Sequence, residues 1–111
     1  MIRSILYLHP RDGDAQAVLQ LYRRERVLEV AVAQEGCLAA ELQLPVNGSG
    51  PVVVTALWDT PDAYQRWLDN PARAASGDEL NELLDDAIKA EARQGDLYEV
   101  VLEASAEGAR V

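Results

Sequence analysis

Val52-Val53-Val54-Thr55-Ala56-Leu57-Trp58-Asp59-Thr60-Pro61-Asp62-Ala63-Tyr64-Gln65-Arg66-Trp67-Leu68 holds a strand, a sharp start signal and a helix in one run. The β-branched stretch Val52 to Trp58 is too apolar to be an edge facing water on both sides, so it reads as a paired strand. Thr60-Pro61-Asp62 then supplies a threonine cap, proline at the first helical position and an acid in the first turn. Ala63, Tyr64, Trp67 and Leu68 share one face, the spacing of a helix laid against a sheet. Pro71 closes that short helix.

Working back from this stretch, Cys37 to Leu44 alternates Leu38, Ala40, Leu42 and Leu44 against Ala39, Glu41 and Gln43, a second strand. Pro45-Val46-Asn47-Gly48-Ser49-Gly50-Pro51 is a turn cluster with an Asn-Gly pair, so the two strands form an antiparallel hairpin. Its glycines are not a phosphate loop, because no helix follows directly and the cluster carries no lysine. Ala15 to about Gln34 reads as one long helix with Val18, Leu21, Tyr22, Leu28 and Val32 on one face, stopped by Gly36. Glu25 and Glu29 project onto the same side. Either the helix turns out to solvent or a partner there, or Glu25 looks into a cavity. Asp12-Gly13-Asp14 offers a turn and candidate caps. Ile2 to Leu8 reads as the first strand, with Ile2, Ser4, Leu6 and Leu8 opposite Arg3, Ile5, Tyr7 and His9, ended by Pro10.

Beyond the opening stretch, Ser76-Gly77-Asp78-Glu79 has capping-box spacing. The stripe Leu80, Leu83, Leu84, Ala87 and Ile88 then predicts a helix up to Gly95, followed by a last strand over Leu97 to Ala104. Residues 1–104 read as one domain and residues 105–111 as a patternless tail. The order strand, helix, strand, strand, helical pair, strand fits a ferredoxin-like α+β fold: a four-stranded antiparallel sheet with helices on one face. Several strands are apolar in both registers, so the other face needs cover. A second copy of the chain is the economical cover, and the patterning predicts a homodimer.

Composition sets the outer bounds. At 111 residues, 49% hydrophobic and 26% charged, the chain is a single domain. One cysteine, Cys37, cannot form an internal disulfide, and with His9 the only other borderline-soft ligand no metal site is expected. No apolar run nears the ~20 residues of a membrane span. Met1-Ile2-Arg3-Ser4 leads straight into strand alternation, so the cytoplasm is the expected compartment. A net charge of −9, with Arg23, Arg24 and Arg26 interleaved by Glu25, argues against nucleic acid and anionic membranes as partners.

With these elements placed, the chain resembles the antibiotic biosynthesis monooxygenase-like family of dimeric α+β barrels, from Ile2 to about Leu102. The strand ending in Trp58-Asp59 and the short helix with Tyr64 and Trp67 are similar to the family's most specific stretch. Gly36-Cys37-Leu38 resembles its Gly-aromatic-Leu start of the second strand. The resemblance implies a pocket in each subunit between sheet and helices. It also implies oxidation of aromatic polyketides, typically anthrones to quinones, with no metal, flavin or haem. In that chemistry the protein helps deprotonate a phenol or an acidic methylene, and the carbanion reduces oxygen while held dry. Trp67 matches the family's tryptophan position.

The other roles rest on chemistry, which asks for an aromatic platform, a proton acceptor and a group that stabilises an enolate. Trp67 and Tyr64 either supply the platform or simply pack the short helix. Trp58 ends a strand and reads as core or as a pocket wall. Tyr7 and His9 share a strand face and so can line one wall. His9 is the only histidine, the side chain whose ordinary pKa suits base work near neutral pH, although solvated histidines are common at strand ends. Arg24, on the flank of the first helix, either holds a phenolate or carboxylate or is a surface arginine. The candidates are therefore Trp67, His9 and Tyr7 for catalysis, with Tyr64, Arg24, Glu25 and Trp58 for an apolar aromatic substrate.

A second branch of the superfamily cleaves haem, by resemblance using a first-strand asparagine, the short-helix tryptophan and a later histidine on iron. Here Ile5 or Tyr7 stands near the asparagine and Ser76 about where the histidine falls, so haem degradation is not expected. Three readings stay open. They are a cofactor-independent monooxygenase, a polyketide cyclase or small-molecule isomerase on the same scaffold, and a non-catalytic dimeric module that binds a small molecule.

Overall fold

The computed structural model describes residues 1–85 and 95–106. Its elements are β1 (Ile2–Leu8), α1 (Ala15–Arg24), α2 (Val27–Val32), β2 (Cys37–Gln43), β3 (Val52–Trp58), α3 (Pro61–Leu68), α4 (Pro71–Ala74), α5 (Gly77–Glu82) and β4 (Asp96–Glu99). The strands form one antiparallel sheet in the order β2-β3-β1-β4, the ferredoxin-like arrangement. Register decides which side chains meet the helices. Ser4 pairs with Ala56, Leu6 with Val54 and Leu8 with Val52, and the buried strand residues Ser4, Leu8, Val52, Ala56 and Trp58 all belong to that set. The alternate set, Arg3, Ile5 and Tyr7 with Val53, Thr55 and Leu57, faces away from the helices and is only half-buried or exposed. No helix of the described residues is long and apolar enough to cross a membrane.

The strong start signals act as expected. Thr60 Oγ1 accepts the Ala63 N–H at 3.2 Å, and Asp14 Oδ1 accepts the Ala17 N–H at 3.1 Å, satisfying donors that a helix start leaves open. Ala63, Tyr64 and Trp67 are buried. Gly36 sits at φ +86, and a Cβ there would lie 2.5 Å from Asp59 Oδ1 and 2.7 Å from the Ala63 Cβ. The chain enters β2 through a space only glycine fits.

Four expectations need correction. The single helix to Gln34 is two helices, because Arg26 adopts a left-handed backbone (φ 52, ψ 43) between α1 and α2. That break re-phases the helix, so Glu25 and Glu29 pair with Arg24 and Arg26 at the surface, at 3.7 and 3.6 Å. Leu38 does not join Ala40 and Leu42 on the covered face. A bulge between Cys37 and Ala39 displaces it, leaving it exposed. Ser76 makes no side-chain cap, and α5 ends at Glu82. Leu84 instead bridges to Pro10 in extended pairing. Ala87 and Ile88 lie outside the described residues. The last strand stops at Glu99, since β1 offers only the Met1 carbonyl, to Val100 N–H, beyond that rung.

The core has two parts. Trp58, Tyr64 and Trp67 centre one apolar cluster with Ala31, Cys37, Ala56 and Ala63. Leu8, Val18, Tyr22, Val52 and Leu84 form the other.

Candidate functional site

Residues of both clusters wall a cavity of about 180 Å³, partly open to solvent. This is slightly more than the ~150 Å³ in which a protein interior holds a benzene. The sheet provides its floor through Ser4, Leu6, Ala40, Val54, Ala56 and Trp58. Above it stand Leu21 and Tyr22 of α1, Leu28 and Ala31 of α2, and Tyr64 and Trp67 of α3. The α4–α5 segment closes the remaining side with Arg73, Ser76, Leu80 and Asn81.

The aromatic wall is fixed in place. Trp58 is almost wholly buried, donates its indole N–H to Ser4 Oγ at 3.0 Å, and meets Tyr64 edge-on with centroids 5.5 Å apart. The Tyr64 hydroxyl oxygen in turn accepts the Gly95 N–H at 2.6 Å. A Cβ at Gly95 would fall 2.9 Å from the Ile5 carbonyl oxygen and 3.0 Å from that hydroxyl, so glycine is what allows the approach.

Electrostatically the cavity is neutral except at one end. Burial pushes the Tyr22 phenol up to about 12, against the opposing pull of the Arg73 guanidinium and with a small push from Tyr64. Burial likewise raises Tyr64, while the Gly95 N–H and Arg73 pull it down and Asp96 adds to the rise. Both phenols are therefore protonated at neutral pH and face the cavity as donors. No imidazole, thiol or carboxylate lines it among the described residues, and no cluster of metal-ligating side chains occurs among them.

Of the seven candidates, Trp58, Tyr64 and Trp67 come together on this wall. Tyr7 projects from the opposite sheet face, since the helices cover the other register of β1. His9 lies past the end of β1, where its carbonyl accepts the Asp85 N–H at 2.8 Å. Arg24 reaches outward to Glu79, Nη2 to Oε2 at 2.5 Å, tying α1 to α5. Glu25 caps the end of α1 with a side chain 43% exposed. These four do not line the cavity. Sequence reasoning missed Ser4, Arg73, Ser76 and Asn81, and took Tyr22 as apolar packing only. Helical spacing put Tyr22 on the inward face, which was the one signal available for its hydroxyl.

A four-stranded antiparallel sheet carrying an aromatic cavity under its helices defines a ferredoxin-like α+β scaffold. The sequence matches the Antibiotic biosynthesis monooxygenase family model over residues 1–77, and the chain belongs to that family. Among solved structures it is similar to Rv0793 from Mycobacterium tuberculosis, with a TM-score of 0.73 at 19% identity over 94% of this chain and 98% of that one. It is also similar to an MhuD mutant with two manganese protoporphyrin IX molecules bound per active site, with a TM-score of 0.65 at 26% identity over 96% and 100% of the two chains. An antibiotic biosynthesis monooxygenase with a TM-score of 0.66 is 19% identical over 96% of this chain and 100% of that one. No curated protein matches the sequence significantly.

Proposed function

We propose that the chain is a cofactor-independent monooxygenase that oxidises a phenolic or polyketide-like aromatic, of the anthrone-to-quinone type, as a homodimer. The observation that carries this reading is the aromatic wall of Trp58, Tyr64 and Trp67, bounded at one end by phenol donors and a cation. Trp67 serves as the platform against which the ring lies, and Tyr64 and Trp58 fix its plane. In the reaction the substrate's methylene loses both hydrogens and becomes a carbonyl. Dioxygen takes up the four electrons, placing one atom in that carbonyl and releasing the other as water. The mainly apolar lining limits the water beside the intermediate carbanion and so slows its reprotonation. The uncovered sheet face, with Ile5, Tyr7, Val53 and Leu57, supports the dimer.

The likeness to the porphyrin-bound MhuD mutant raises a haem reading, and the residues present do not fit it. Haem iron takes His, Cys, Met or Tyr ligands. His9, Cys37 and Met1 are the chain's only residues of the first three kinds, and none lines the cavity. Tyr22 is held protonated by burial, and the Tyr64 oxygen already accepts a backbone N–H.

The test is turnover of a simple tricyclic anthrone with and without oxygen. Oxygen-dependent quinone above the spontaneous rate, lowered at least ten-fold in Trp67→Phe, is expected. Product formed equally without oxygen supports the cyclase or isomerase reading instead. Saturable quenching of tryptophan fluorescence with no product supports the binding module.

A further inference from the structure

We propose that the Tyr22–Tyr64–Arg73 end of the cavity is an oxyanion subsite, which selects aromatic ligands carrying an ionised oxygen and stabilises that anion by Tyr64 and Tyr22 donors. The inference deepens the oxygenase reading by naming what the substrate must present. Its ground is geometric. The Tyr64 oxygen is occupied by the Gly95 N–H at 2.6 Å, so its own proton must be given to something else. Among the described residues no acceptor takes it, and none takes the proton of Tyr22 either, although Tyr22 is more than nine-tenths buried. No buried side-chain oxygen among the described residues is left without a partner, so the unpaired Tyr22 hydroxyl is accessible from the cavity, where a ligand oxygen can take the place of water. Both rings line the cavity, so a ligand oxygen placed there meets two O–H donors.

Charge points the same way. Arg73 of α4 lines the same end and acts on both hydroxyls. It has an interaction of its own and contributes here as a nearby positive charge. Asp96 at the start of β4 is the carboxylate that Tyr64 feels, and it opposes an anion. Desolvation opposes one too, as it does at Tyr22. A ligand oxygen gains what the Tyr22 oxygen lacks, namely phenol donors on the cavity wall, and hydrogen bonds to a charged group are the strong ones. No carboxylate or imidazole lines the cavity among the described residues. The site is thus built to hold an anion, and the ligand's own acidity supplies the ionisation.

The probe is 4-nitrophenol, whose yellow phenolate is spectrally distinct from the neutral acid, titrated while bound to the full chain. Nitrobenzene serves as the oxygen-free control and 4-nitrobenzoate as the carboxylate alternative. Bound 4-nitrophenol is expected to ionise at or below its value in water, and to bind at least ten-fold more tightly than nitrobenzene. Tyr64→Phe, which keeps the ring and its packing, should raise the bound ionisation by about one unit, a ten-fold loss of anion preference. Arg73→Gln should act in the same direction with the fold intact. Tight binding of 4-nitrobenzoate that responds to both variants assigns the subsite to carboxylates and overturns phenolate selection. The proposal is also overturned if the probe binds only as the neutral acid, if both variants titrate it like the parent, or if no saturable binding occurs at millimolar probe. These outcomes do not depend on oxygen chemistry. An anion-selective site with no oxygen consumption sinks the oxygenase reading alone, and oxygen consumption with an indifferent titration sinks the subsite alone.

Discussion

Trp58 and Ser4, on neighbouring strands, are joined by an indole N–H donated to Ser4 Oγ at 3.0 Å inside the core. The bond explains why a serine stands in the apolar register of β1, and it sets the plane of the ring that Tyr64 abuts. Ser4→Ala leaves a buried N–H without its acceptor. We expect a loss of about 1–3 kcal/mol, read from the midpoint of denaturant unfolding. Combined with Trp58→Phe, the losses should sum to less than the two single effects, because the two residues share one bond.

Gly36 gives a sharper contrast. Its positive φ of +86 is accompanied by contacts of 2.5 and 2.7 Å to any added Cβ, whereas Gly48, at φ +79, has nothing within 4 Å. Gly48→Ala should cost about 1 kcal/mol through backbone strain alone. Gly36→Ala should cost at least about 2 kcal/mol more, since α3 must shift away from β2. Thermal unfolding of the two variants side by side checks the difference.

Much of this framework was legible in the sequence. Period-two alternation and the Asn-Gly turn gave the hairpin, and Thr60-Pro61 gave α3 with its buried Tyr64 and Trp67. Arg26 was not legible, because a left-handed arginine carries no sequence signal and is set by how α2 packs. Ser76 has the chemistry of a cap, yet it lines the cavity, since the path through α4 and α5 is fixed by tertiary contacts. The site was half legible for a related reason. Alternation shows which β1 side chains share a face but not which face the helices cover. Tyr7 therefore projects from the face the helices leave uncovered, and His9 falls beyond the end of β1, where alternation no longer sets its direction. Arg73 was out of reach, because a four-residue helix has no period to read.

Tyr22 makes stability depend on alkaline pH. Its folded-state pKa of about 12 lies above the ordinary 10.0. Below pH 10 both states hold the proton and the term is fully present. Between pH 10 and 12 the unfolded chain releases it first, so stability falls, by about 3 kcal/mol in total. Tyr22→Phe should flatten that decline in unfolding curves taken between pH 9 and 12, by comparison with the parent.

The uncovered sheet face predicts association. Light scattering at micromolar concentration should give twice the 12.2 kDa chain mass. Leu57→Glu, on that face and off the cavity, should yield monomer that remains folded by circular dichroism. A monomeric parent chain would contradict the pairing of these faces.

The central claim is that dioxygen is the oxidant of an aromatic held against Trp67, and isotope labelling reads it directly. Turnover of an anthrone under labelled dioxygen should place one labelled oxygen atom in each quinone, with one dioxygen consumed per product and little incorporation in Trp67→Phe above the spontaneous rate. Quinone formed without label from dioxygen, or at the same labelled rate in the variant, would contradict the account.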